Sequence, residues 1–399
     1  MRRSSKLFAA LAAAFAGATA VAGGPFIVGS NGVPFVWSTA APIQFRTDNG
    51  PLSPTVDEAA ARARVVGMFN VWQDVPSASI GYNRAGFINA VGALFSDGDV
   101  STGPEYAAVD NDCANGNQSP VIYDEDGTIL IDAGFDETSV IGFAGPCSGN
   151  AVNFLTGQVV MNGLFQDGQA APVQDIPPQA FDAAIIHEIG HFSGLMHSQV
   201  NVNCLNQSPC NADDLAGLPT MFPFLVSTTQ GTLSVDDVAW ISRLYPAPSF
   251  GTTHGTISGI VFFSDGQSHA QFVNVIARPL DTGANQDRTS AVSVMSGYRF
   301  RAIHGNPLTG DGPDPFGSTN PGHIGLFEIP VPIGSYTVEV ESIDAQFVDG
   351  SSIGGYRIAM PGTAPAPIGP IVVSPNAENS GNNVTLIGTP PRFDQFEGP

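Results

Sequence analysis

Residues 187–198 read HEIGHFSGLMHS, and the spacing inside this stretch dictates a conformation as well as a chemistry. His187 and His191 are four apart, so on an α-helix their imidazoles sit one turn apart on one face and can address a single ion. Glu188 stands one position round from that face, where it can reach an ion-bound water as a general base without ligating the ion. Gly194 provides backbone free to adopt positive φ, which lets the chain turn sharply and return His197 as a third ligand. Three protein ligands leave a fourth position open, which is the arrangement of a catalytic rather than a structural zinc site. Five specified residues in eleven positions arise by chance in about one chain in 10^5 of this length, so packed or merely solvated histidines do not account for them.

The approach to this stretch is also helical in pattern. Residues 181–186 (FDAAII) space apolar groups for one buried face, and Pro177 and Pro178 stand where a helix start tolerates proline. With Ser198 directly after the third histidine, the stretch resembles the signature of the metzincin metallopeptidases, and within them the matrixin-like group. Residues 218–224 (LPTMFPF) are similar to that group's methionine turn, with Met221 as the methionine and Phe222-Pro223 beside the specificity pocket. Residues 233–246 resemble its closing helix. The opening is similar too: a strand at 43–46, an alanine-rich helix over 56–72 with Asp57 and Glu58 in its first turn, and a strand at 77–82.

This resemblance covers residues 35–246, except that 83–150 are long, irregular and poorly matched. It implies an α+β zincin fold, a mixed twisted sheet with an active-site helix. It further implies Zn2+ held by His187, His191 and His197, Glu188 as general base, Gly194 and Met221 as structural residues of the site, and hydrolysis of peptide bonds in proteins or peptides. Residues 156–162 read as a strand; the resemblance implies the edge strand beside the cleft, and an interior strand fits those residues equally.

Arg2, Arg3 and Lys6 precede an apolar run over 7–21, and Ala20-Val21-Ala22 offers the small residues of a signal-peptide cleavage site. We therefore expect residues 1–22 to be a signal peptide cleaved after Ala22, a secreted protein, and no membrane span. Taking three cations from the fourteen leaves eleven against thirty-six acids, a net charge of −25 with no lysine remaining. No cation falls between Arg84 and Arg243, so the charge argues against nucleic acid and anionic membrane as partners and favours solubility, calcium retention or salty surroundings; a monomer is expected.

Four cysteines in an exported chain predict two disulfides, and of the three pairings we favour Cys113 with Cys147 and Cys204 with Cys210. No cysteine precedes Cys113, so the propeptide cysteine that caps zinc in animal matrixins has no counterpart, and export without that form of latency is expected. Asp97 and Asp99, Asp110 and Asp112, and Asp124, Glu125 and Asp126 form acidic clusters that could hold structural Ca2+, as in matrixins, or serve as solvated turns.

The composition changes after Pro246. Residues 247–255 read as a linker, and 256–375 as an all-β sandwich domain with strands at 256–263, 271–278 and either side of a turn within 325–341. That last pattern resembles the carboxypeptidase-regulatory-like sandwich. His254, His269, His304 and His323 lack metal spacing and read as surface or loop residues, and 376–399 as one more strand and a tail. The expected domains are thus 23–246, catalytic, and 256–375, accessory. The alternative from another class is an adhesive or scaffold protein whose protease fold has decayed and whose sandwich does the work.

Overall fold

The structure, a computed structural model, describes residues 23–150, 152–205, 212–280, 285–300, 316–343 and 363–388. The expected signal peptide, Cys210, His304 and the end of the tail lie outside the described residues. The fold is mixed α/β with one largely parallel sheet and two further four-stranded sheets. Compactness divides it into two units, residues 36–75 with 79–194, and residues 23–35 with 76–78 and 195–388. The division falls between Gly194 and Leu195, so residues 195–246 share a unit with the strands that follow them.

In the first unit, strands β1 (Val36–Trp37), β2 (Ile43–Thr47), β3 (Tyr82–Phe87), β4 (Pro120–Asp124) and β6 (Asn153–Asn162) run parallel in the order β1-β6-β4-β2-β3. β5 (Gly142–Gly149) adds antiparallel to β6. The unit's longer helices are α1 (Glu58–Gln73), α2 (Gly103–Ala114) and α3 (Pro178–Phe192). Helix α1 begins where Asp57 accepts the N–H of Ala60, so Asp57 is the cap and Glu58 the first-turn acid. Its buried Ala61, Val65, Phe69 and Trp72 follow helical spacing, and Phe69 stacks on Phe45 of β2 at 4.0 Å.

Three expectations need correction. The strand placed at 77–82 begins at Tyr82, because residues 76–78 are drawn away: Ala78 bridges Pro246, and Ser77 accepts the N–H of Ala247. Residues 83–150 are regular rather than irregular. β4 is buried at all five positions, and such a central parallel strand shows no alternation to read. The edge strand is not 156–162: β6 lies between β4 and β5, and β5 forms the edge.

In the second unit, β7 (His254–Phe262) pairs with β10 (Leu326–Pro332), β13 (Glu378–Asn379) and β14 (Val384–Thr385). A second, antiparallel sheet runs β12 (Ile368–Val373), β11 (Gly334–Ser342), β8 (Val273–Pro279), β9 (Val292–Met295). β10 and β11 adjoin in sequence yet belong to different sheets, so the turn between them is a crossing and not a hairpin. Helix α4 (Val235–Leu244) starts with a capping box between Ser234 and Asp237. His254, expected at the surface, is 5% exposed on β7, stacked on Phe250, its pKa lowered by burial.

Candidate metal centre

Helix α3 opens at Pro178 and is buried along most of its length, including Phe181, Ile185, Ile186, Ile189 and Phe192. Carbonyls in its second half are met by buried donors. The indole Nε1 of Trp72 donates to the Ile186 carbonyl at 2.8 Å and that of Trp37 to the Phe192 carbonyl at 2.7 Å, while Trp37 stacks on the Phe192 ring at 5.1 Å. The hydroxyl of Ser193 donates to Ile189 and pairs with Tyr82 Oη at 2.6 Å. A Cβ at Gly157 on β6 would lie 3.0 Å from the Phe192 ring, so only glycine lets the sheet approach this closely.

Past the helix, Gly194 has φ +90° and its N–H bonds the His191 carbonyl at 2.9 Å, the turn expected from the sequence. The chain then runs against residues 23–25. Leu195 bridges Pro25, Met196 N–H donates to Gly24 at 3.0 Å, and Gly23 N–H donates to the His197 carbonyl. The ligand atoms of His187, His191 and His197 lie within 4.8 Å of one another, with the rings of the first two nearly perpendicular. Tetrahedral zinc with bonds of about 2.0–2.1 Å would hold such nitrogens roughly 3.4 Å apart.

Glu188 is 7% exposed, and its Oε2 is buried with no hydrogen-bond partner. Burial pushes its carboxyl up to about 8. A cation beside it would favour the carboxylate and lower that value. Three converging imidazole nitrogens, with a buried carboxylate at the residue after His187, are a donor set that fits a divalent ion.

Met221 is 2% exposed in a turn held from two sides. Asp237 accepts the N–H groups of Thr220 and Met221 at 2.9 and 3.0 Å, and the Met221 carbonyl accepts from Ser198 N–H at 2.7 Å. Phe222 is buried, and the aromatic ring this turn exposes is Phe224. Sequence reasoning passed over Trp37, Trp72, Tyr82 and Asp237. Only Asp237 left a signal, the Ser234-x-x-Asp237 spacing of a capping box.

Cys113 and Cys147 form the expected disulfide, joining α2 to β5 with their Cα atoms 5.6 Å apart. Cys204 is disulfide-bonded as well. Within the acidic clusters, Asp110 accepts from Gln158, Asp112 from Asn117 and Gln118, Asp124 from Leu130 N–H and Asp126 from Thr128 N–H. Among the described residues, only the three histidines assemble into a group that could hold a metal. No helix there is long and apolar enough to cross a membrane. No family model matches the chain, and no curated protein matches it.

Proposed function

We propose that the chain is a secreted, zinc-dependent metalloendopeptidase of the matrixin-like metzincin type that cuts extracellular proteins. The observation that carries this reading is the convergence of His187, His191 and His197, with the buried carboxylate of Glu188 directly following the first of them in the chain. Zinc bound by those nitrogens would supply Lewis acidity, bringing the pKa of a water to about 7 and polarising the scissile carbonyl. Glu188 accepts the proton of the attacking water at its carboxylate and delivers it to the leaving amine. Its burial suits both halves of that task, because desolvation raises its proton affinity and a nearby cation lowers it.

β5 packs against α3 and has no strand on its outer side among the described residues, so an extended substrate could add there through backbone hydrogen bonds. The Cys113–Cys147 disulfide fits an oxidising compartment, reached through the signal peptide at residues 1–22. The strands after His254 are proposed to be an accessory β-sandwich.

The test is Glu188→Gln measured for zinc content and for proteolysis on casein, with and without a strong chelator. The variant should keep one zinc per chain while turnover falls by about 10^2–10^4. Near-normal turnover, or a wild-type chain that carries no zinc, overturns the reading.

A further inference from the structure

We propose that the β8–β9 sheet supports the third metal ligand and so acts as a positioning scaffold for the metal centre; this rests on the metallopeptidase reading above. The four residues that follow His197 are each fixed, and three of the four by this sheet directly. The side chain of Ser198 hydrogen-bonds Asp236 on α4, and the same carboxylate accepts the backbone N–H of Ser293 on β9 at 2.8 Å. The Gln199 carbonyl accepts from Asn274 Nδ2 on β8 at 2.9 Å. Val200 is buried against Ile276 of β8 and Ala291, which precedes β9. Asn201, held at φ +58°, accepts from Arg278 Nη1 at 3.1 Å and donates to the Asp214 and Arg288 carbonyls.

The periodicity of β8 accounts for this. Asn274, Ile276 and Arg278 alternate onto one face, and Ser293 stands opposite Ile276 in register. Val275 points to the other face and is equally buried. The β9 strand is gripped a second time, since Trp240 Nε1 on α4 donates to the Ser293 carbonyl at 2.8 Å. Asn274, Gln199 and Ser293 are each 0% exposed, so these bonds are made without competition from water. A ligand whose neighbours are locked pays less ordering entropy when metal binds, and loosening them weakens binding by a shift in position and not by loss of a donor.

The experiment compares Asn274→Ala and Ile276→Ala with Val275→Ala, all in the full-length chain. Zinc affinity is measured by chelator competition, Co2+ absorption reads ligand geometry without catalysis, and thermal unfolding reads stability. The first two variants should weaken zinc binding by about ten-fold and alter the Co2+ spectrum, whereas Val275→Ala should lower the melting temperature comparably with affinity and spectrum unchanged. Ile276→Val provides a milder step on the same face should Ile276→Ala fail to fold, with a smaller change in the same direction. Wild-type affinity and spectrum in the Asn274 and Ile276 variants, or an equal loss in Val275→Ala, overturns the scaffold role while leaving the metallopeptidase reading intact. A wild-type chain that binds no zinc overturns both.

Discussion

Asp237 Oδ1 lies 3.0 Å from the backbone nitrogen of Met221, and both residues are fully buried. The same carboxylate also accepts from Thr220 and Ser234, so one side chain ties the methionine turn to the start of α4. Asp237→Ala should therefore orphan three N–H groups and cost about 2–4 kcal/mol, at roughly 1–3 kcal/mol per buried unsatisfied group with partial relaxation. Denaturant unfolding checks this, and a loss below about 0.5 kcal/mol would show that the turn holds itself.

Trp37→Phe keeps an aromatic ring against Phe192 and removes only the donor to its carbonyl. We expect a loss of about 1–3 kcal/mol in urea unfolding. A tolerated substitution would mean that the end of α3 is satisfied in some other way.

Gly194→Ala places a side chain at φ +90°, where L residues are strained by about 1–2 kcal/mol. Because the turn delivers His197, zinc affinity measured by chelator competition should fall beyond what that strain alone does to stability. Equal zinc affinity in variant and wild type would contradict the role given to the turn.

Burial raises Asp48 to about 7, against the pull of N–H bonds from Gly50, Val100 and Tyr123. The folded state therefore holds a proton that the unfolded chain releases near pH 4. Where the folded state binds more protons, stability falls as pH rises, so this group contributes fully below about pH 4 and its contribution is lost as pH climbs to about 7. The slope is about 1.4 kcal/mol per pH unit inside that window. Asp48→Asn should remove the slope whatever it does to absolute stability, and unfolding midpoints of variant and wild type at pH 5 and pH 7 test this as a double difference.

The legible part of this protein was local. The spacing HExxHxxGxxH specified a helix, a left-handed glycine and a returning histidine, because imidazoles four apart on a helix share a face whatever surrounds them. The α1 pattern and the Pro178 start of α3 were readable for the same reason. Helix α2 went unread, because its Tyr106, Val109 and Cys113 keep helical spacing only amid polar residues.

Tertiary structure alone decided the pairing of distant segments. β4 carries no alternation because both its faces are covered, and β5 rather than β6 became the edge because register between strands far apart in sequence leaves no local trace. The donors that meet the carbonyls of α3, Trp37 and Trp72, precede them by 155 and 114 residues. Asn274, Arg278 and Ser293 reach the segment after His197 in the same way, through long-range bonds whose partners nothing in the spacing could name. Composition and spacing thus determined which residues could bind a metal, since that chemistry is short-range along the helix. What holds those residues in place was set by the folded chain, since each supporting contact joins groups that only folding brings together.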